Sequence, residues 1–369
     1  MRKLRIAIVA PSLGILGGQA VQANRLVEAW QGDPEVDARL VPVNPAPASA
    51  LQWATRVKYL RTIVTEAAYG PLLVREVAQA DVVHVFSASY TSFLLAPLPA
   101  ILAAHALGRP VVLNYRSGQA EDHLRRSVIA RHAIASTDIR VVPSAFLVEV
   151  FARFGIAATV IPNLLDLNRF AFREGEALGP RLVSTRNFEP IYNVACTLRA
   201  FRLVQNRWPD ATLTLVGAGS QEERLRALAA GLGLRHVHFA GRVNPEEIAR
   251  HYRDNDIYIQ SPNIDNMPTS VLEAFATGVP VVSTEAGGIP TILTHGVHGL
   301  LAPVNDHETL AAHVLELLDN AALAKQLIRT AYSTCHACTW SAVREQWLRV
   351  YQLSLAAAPA ARLRTEHAA

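Results

Sequence analysis

The feature that most constrains this chain is an alternation of short apolar runs with amphipathic stretches, played through twice. The first series has apolar runs at Leu4–Ala10, Leu40–Val43, Asp81–Phe86, Pro110–Asn114 and Ile139–Val142. Between them lie stretches of helical period at Ala20–Gln31, Trp53–Ala68, Ala120–Ala135 and Ala145–Phe154. Runs apolar on both faces predict strands buried in a parallel sheet, and the intervening helices are its crossovers. The pattern pauses at residues 166–180, where Pro, Gly and charge collect as in a linker. It restarts with strands predicted at Arg181–Thr185, Ala211–Val216, Val237–Ala240, Asp256–Gln260, Val279–Ser283 and Gly299–Ala302. Helices are predicted at Ala195–Arg207, Ser220–Leu232, Pro245–Asp254, Ser270–Thr277 and His307–Asp319. The fold class is therefore α/β, with two doubly wound parallel-sheet domains at residues 1–165 and 181–335. A length of 369 residues, beyond what one core usually serves, agrees. Residues 336–369 supply a helix with Trp340, Val343, Trp347, Leu348 and Tyr351 on one face, expected to pack back on the first domain, and then a frayed Ala-rich tail from Ala356.

A formal charge of +4, with Arg spread over many helices and no basic, aromatic-studded stripe, argues against a nucleic-acid partner. No window of 18 uncharged apolar residues predicts a transmembrane helix; Tyr90 to Leu107 comes closest and reads as a buried helix. The basic Met1–Ala10 start ends at Pro11 without a cleavage site and reads as a first strand, so a cytoplasmic protein is expected. Arg125, Arg126 and Arg131 leave open a peripheral attachment to an anionic membrane face. Cys335 and Cys338 have CxxC spacing, but no second ligand pair accompanies them, and they read as ordinary thiols.

The segment from Ser261 to Ser283 carries the chemistry. A strand ends, an acidic and amide-rich loop follows, and a short helix runs to Gly278 before a buried strand. A helix N-terminus offers unpaired N–H groups and a partial positive charge, which suits a diphosphate. Asp265 and Glu273 bracket that N-terminus and can accept hydrogen bonds from sugar hydroxyls. An Asx turn or N-cap is the other reading of Asp265, and a helix surface charge that of Glu273. Leu272, Phe275 and Ala276 are expected to form the buried face, with Glu273 turned away from the core.

Other polar groups also follow strands: Gly14–Gly18, Arg116–Gly118, Arg186–Glu189 and Gly217–Gly219. Ligands of open parallel sheets bind at these C-terminal edges, so a cleft enzyme with two facing sheets is expected.

In this arrangement the chain resembles glycosyltransferase family 4, the group 1 glycosyltransferases of GT-B fold and retaining mechanism. The resemblance rests on Asp265, Glu273, the run Ala274 to Val282 and Gly287-Gly288. Gly17-Gly18, Val142-Pro-Ser144, Ile161-Pro-Asn163, Leu215 to Gly219 and Phe239-Ala-Gly241 support it in order along residues 4–351. It implies that Glu273 holds the nucleotide ribose, that amides of Thr269, Ser270 and Val271 meet the diphosphate, and that Arg186 neutralises it. Gly17 and Gly18 would let backbone approach the donor phosphate, and Gly217, Asn266 and Met267 would complete the donor contacts. It implies a UDP- or GDP-sugar donor of hexose type, a glycan or lipid-linked acceptor and no metal or other cofactor; oligomeric state stays open.

The chain departs from the family pattern at three places. Asp265 stands where a Glu is usual, giving Asp-Asn-Met-Pro. Ile191 stands where a Lys follows the arginine, leaving Asn193 as a neutral donor. Tyr115 or Arg116 replaces a histidine, and Arg116 is expected to restore the lost charge. Asp265, Arg186, Arg116 and His123 are the catalytic candidates, His123 being a candidate base or a structural histidine. Asp254-Asn-Asp256 spells a metal-binding DxD but reads as helix and strand capping. A silent nucleotide-sugar binder and a GT-B epimerase are the alternatives; three lysines, none after a second-domain strand, leave no place for a pyridoxal-phosphate phosphorylase.

Overall fold

In a computed structural model, which describes residues 2–14, 17–46, 58–173, 177–244 and 246–366, the apolar runs form two six-stranded parallel sheets. The first contains β1 (Leu4–Ala10), β2 (Val36–Pro42), β3 (Val82–Ser87), β4 (Val111–Tyr115), β5 (Ile139–Val142) and β6 (Thr159–Val160), in the order β2-β1-β3-β4-β5-β6. The second contains β7 (Arg181–Ser184), β8 (Thr212–Val216), β9 (Val237–Gly241), β10 (Ile257–Ile259), β11 (Val281–Thr284) and β12 (Leu300–Ala302), in the order β12-β11-β10-β7-β8-β9. In each sheet the chain winds one way and then returns past its first strand. The order reverses beside β1 in the first sheet and between β7 and β10 in the second, and such reversals open a crevice at the strands' C-terminal ends.

Two compact units result, one of residues Met1–Leu164 with Trp340–Ala369 and one of Leu165–Thr339. In the second, Leu182, Leu213, Leu215, Ile257 and Ile259 pack under the helices Val194–Arg207 and His307–Asp319. The expected helix Ala120–Ala135 is two helices, Ala120–Arg126 and Val128–Ala135. Ser127 turns extended there, and its Oγ caps the second helix by accepting from the Ala130 amide at 3.1 Å. The Tyr90 to Leu107 segment is likewise divided, at Pro97, and it is not buried throughout: Leu94, Leu95 and Leu102 are exposed. Residues 53–57 of the expected helix Trp53–Ala68 lie outside the described residues. Cys335 and Cys338 are buried thiols, and burial pushes their pKa up to about 12 and about 11.

The helix Trp340–Glu366 includes residues expected to be frayed. Its aromatic face seals the first sheet: Trp340 meets Trp30 edge-on at 4.5 Å, and Trp347 and Tyr351 close over β3. Arg344 ties it down through Asp33 at 2.7 Å and Glu35 at 2.9 Å. Asp33 also accepts from the amides of Glu35 and Val36 at 2.9 and 3.1 Å. Burial pushes the Asp33 carboxyl up, but Arg344 and these amides hold it, on balance, below the usual aspartate range. A carboxylate whose pKa is lower folded than unfolded stabilises above its unfolded value, about 4. That contribution is lost as pH falls through the folded value. Asp33→Asn is expected to lower stability by about 1–3 kcal/mol at pH 7 and by much less near pH 2. Denaturant titrations across that range check this; a loss independent of pH would contradict it.

Candidate functional site

The second sheet's reversal point gathers the site. β7 delivers Thr185 and Arg186, β8 delivers Gly217–Gly219, and β10 leads through residues 260–268 into the helix Thr269–Thr277. Arg186 is only 9% exposed. Its guanidinium forms an ion pair with the Asp265 carboxylate, donates from Nη1 to Ser270 Oγ at 3.1 Å and lies over the Tyr192 ring at 4.1 Å. Burial opposes its charge, but Asp265, then the surrounding tyrosines, outweigh that and raise its pKa above the ordinary value. Its Nε is buried without a hydrogen-bond partner, a donor still to be satisfied.

Close backbone packing builds this corner. Gly217 has φ 150°, and a Cβ there would sit 2.3 Å from the Arg186 carbonyl oxygen. Gly287 has φ 56°, and its Cβ would lie 2.1 Å from the Asp265 carbonyl oxygen. The Gly288 amide donates to that same oxygen at 3.0 Å. Glycine is the residue that permits both approaches, so Gly217 packs on the backbone that carries Arg186. The Gly287-Gly288 pair seats the acidic loop.

Asp265 does not cap the helix. Pro268 holds the N-cap position with no side-chain bond, while Asp265 Oδ1 accepts from the Asn266 amide at 2.8 Å. The first-turn amides of Thr269 and Ser270 thus lack a side-chain cap, and Val271 N reaches Pro268 O at 3.2 Å. Asn266 and Met267 are buried in the loop beside them. Glu273 corrects the expected amphipathic helix. Leu272, Phe275 and Ala276 are buried, but so is Glu273 at 8% exposure, because every residue from Ser270 to Thr277 is covered. The Tyr252 hydroxyl lies 3.3 Å from Glu273 Oε2, 3.1 Å from Ser270 O and 2.7 Å from Thr185 Oγ1. Tyr252 therefore links the carboxylate to the helix and to β7. Sequence reading missed it, since nothing local distinguishes a tyrosine at a helix end.

Asn193 adopts a left-handed conformation, φ 45°, and both its amide hydrogens are engaged, by Asn263 Oδ1 at 3.0 Å and Asn305 Oδ1 at 2.7 Å. It braces the loop and is not the open donor expected in place of a lysine. Asp256 pairs with Arg181 at 2.6 Å and Asp254 with Arg250 at 3.2 Å, so ion pairing occupies the DxD-like pair.

The remaining candidates belong to the first unit. Gly17 is extended and Gly18 opens the helix Gly18–Ala29; a Cβ on either would meet nothing within 4 Å among the described residues. Arg116 is half-buried, its pKa pushed down to about 9 by burial, and it donates to Asn114 Oδ1 at 3.3 Å and to Asn163 Oδ1. His123 is 1% exposed. Its Nδ1 meets the Tyr115 hydroxyl at 2.9 Å, the rings of Tyr90 and Phe93 close on it, and burial lowers its pKa. That enclosure is the surrounding of a core histidine.

Residues 172–334, which include every candidate of the second unit, match the family described as "Glycosyl transferases group 1". That match makes the second unit a group 1 glycosyltransferase domain. The chain is 32% identical over 205 residues to the phosphatidyl-myo-inositol mannosyltransferase of Mycobacterium leprae, covering 54% of each chain, about half that relative's length. It is 26% identical over 381 aligned positions to that of Mycolicibacterium smegmatis, covering 95% of this chain and 94% of the other. The GT-B fold is shared with Anabaena Alr3699/HepE in complex with UDP and glucose, at TM-score 0.75 and 16% identity, covering 95% and 99%. Sucrose-phosphate synthase from Thermosynechococcus elongatus superposes at TM-score 0.73 and 17% identity, covering 96% and 100%. Among the described residues, no helix of the glycosyltransferase is long and apolar enough to cross a membrane.

Proposed function

We propose that this glycosyltransferase moves a hexose-type sugar, with retention of anomeric configuration and without a metal, from a UDP- or GDP-sugar to a glycan or lipid-linked acceptor. One observation carries the reading: Arg186, buried with its Nε unsatisfied, lies against Ser270 at the uncapped N-terminus of Thr269–Thr277. Cation and helix end together favour a diphosphate. As the bond from the anomeric carbon to the phosphate oxygen breaks, the electron pair goes to the leaving diphosphate, whose growing charge Arg186 and the Thr269 and Ser270 amides stabilise. The acceptor hydroxyl oxygen bonds to that carbon on the face just vacated, and its proton passes to the departing diphosphate oxygen, which has gained the electron pair. Asp265 orients the sugar through its hydroxyls, and Glu273 takes the ribose.

The names of the relatives support a lipid-linked acceptor and a mannosyl donor, and neighbours of this fold hold UDP-glucose. Exposed Val128 and Ile129 favour contact with a membrane surface at the cytoplasmic face, while Arg125 and Arg126 beside them pair with Glu121 and Asp122. A silent binder keeps two arguments, Ile191 in place of lysine and Asp265 in place of the longer glutamate. A thermal-shift screen over UDP-, GDP- and ADP-sugars, followed by transfer assays with EDTA, separates the readings. We expect one base to stabilise by several degrees and transfer to persist in EDTA with retained configuration. Stabilisation without transfer to any glycan or lipid acceptor would establish the silent binder.

A further inference from the structure

The first unit buries a line of polar groups that the proposed chemistry leaves unused. His84, on β3, is fully buried. Its Nδ1 lies 2.9 Å from the Tyr351 hydroxyl and its Nε2 lies 3.2 Å from Asn114 Nδ2, on β4. Asn114 Oδ1 accepts from Arg116 Nη1 at 3.3 Å. The ring is packed between Phe86, stacked at 5.1 Å, and Trp347 at 4.8 Å, and the Arg116 guanidinium sits over Phe86 at 5.4 Å.

Donor and acceptor roles along this line follow from one end. A guanidinium only donates, so Asn114 must turn its oxygen to Arg116 and its nitrogen to His84. An amide nitrogen also only donates, so His84 Nε2 must be bare and accept. The ring's one proton then sits on Nδ1 and is donated to Tyr351. A second proton on the ring would set two donors face to face at Asn114. Burial, and then the charge of Arg116, push the His84 pKa down to about 3, in keeping with a permanently neutral ring.

We infer that His84 and Asn114 are positioning residues: a one-way hydrogen-bond chain, in which Arg116 donates to Asn114, Asn114 to neutral His84 and His84 to Tyr351, fixes the aim of the Arg116 guanidinium. Its side-chain acceptors among the described residues, Asn114 and Asn163, are neutral amide oxygens, so the chain orients the cation without cancelling its charge. The group such a cation suits is a phosphate oxyanion. The kinetic half of the inference rests on the proposed function; the proton placement does not.

The near-isosteric Asn114→Asp separates the halves. Its carboxylate still accepts from Arg116 but offers nothing to His84 Nε2, so that nitrogen must acquire a proton. In the full chain labelled with 15N-histidine, with His84→Phe assigning the resonances, wild-type His84 is expected in the Nδ1–H tautomer and flat from pH 5.5 to 9. Asn114→Asp is expected to protonate Nε2 at pH 7 and, although the buried charge lowers its melting temperature, to unfold in a single cooperative transition that shows it is folded at the assay temperature. Transfer is expected to fall about tenfold in Asn114→Asp, as kcat or donor KM, and to fall no further when Asn114→Asp is added to Arg116→Ala than in Arg116→Ala alone. An Nε2–H tautomer in the wild type, or an unprotonated Nε2 in Asn114→Asp, overturns the chain. Wild-type kinetics in Asn114→Asp, or losses that multiply with Arg116→Ala, overturn the positioning role. No transfer by the wild type with any nucleotide sugar overturns the proposed function instead, and the tautomers still decide the chain.

Discussion

Arg186→Ala is expected to lower kcat/KM by about 10²–10³ and to destabilise the fold at the same time. The kinetic part follows from removing a preorganised cation from a leaving group that gains charge, an effect of about 3–4 kcal/mol. The stability part follows from burial. The Arg186 and Asp265 side chains are 10% and 14% exposed, and losing one partner of such a pair strands the other's charge. That costs about 3 kcal/mol or slightly more, less than for a fully enclosed pair. Arg186→Lys is not expected to rescue activity. An ammonium cannot pair with Asp265, donate to Ser270 and stack on Tyr192 together, as the planar guanidinium does. Arg186→Met combined with Asp265→Leu is expected to recover most of the stability and none of the activity, because apolar replacement of both partners removes the stranded charge. Denaturant unfolding and steady-state kinetics on the same preparations test this. A lysine variant with wild-type kcat/KM would show that charge alone matters; full activity in the alanine variant would remove Arg186 from the reaction.

Much of this architecture could be read from residues because buried parallel strands are written as uninterrupted apolar runs. All but two of the strands lie within a residue of such runs. Thr159–Val160 is two exposed residues long and leaves no periodic mark, and Val36–Pro42 starts four residues before the expected run at Leu40 because Asp37 and Arg39 interrupt its apolar pattern. The helix Ala321–Thr334 was missed because a single residue, Asn320, separates it from His307–Asp319; its side chain caps the new helix by accepting from the Leu323 amide at 3.0 Å. Residues selected singly, Arg186, Asp265 and Glu273, proved to share one corner of the second unit, because chemistry placed just after strands is carried to a common sheet edge. Their pairings were not legible. Arg186 meets Asp265 across 79 residues of sequence and His84 meets Tyr351 across 267, and no local pattern encodes such partners. The burial of Glu273 was misread for a related reason. Apolar periodicity shows which face a helix buries first, but not that further elements, here Tyr252 among them, cover the other side.

Glu273→Ala is expected to raise the donor KM about 10- to 100-fold with a smaller change in kcat. A carboxylate kept at 8% exposure is costly to bury, and hydrogen bonds such as that from the Tyr252 hydroxyl, 3.3 Å from Oε2, offset the cost. A ribose diol would add further bonds of this kind, and hydrogen bonds to a charged group contribute about 1.5–3 kcal/mol. Loss of packing alone would also weaken binding, so the test needs a readout that packing does not move. The 2′-deoxy form of the donor supplies it. Wild-type enzyme should discriminate against the deoxy donor by roughly the factor that the mutation costs, and Glu273→Ala should be nearly indifferent to the missing hydroxyl. Glu273→Gln should fall between, keeping the shape but losing the charge. Tyr252→Phe should lower stability by about 1 kcal/mol and keep the discrimination, since it removes one of the carboxylate's partners and not the carboxylate. If Glu273→Ala distinguished the two donors as strongly as the wild type, the ribose would be held elsewhere and Glu273 would be a buried structural charge.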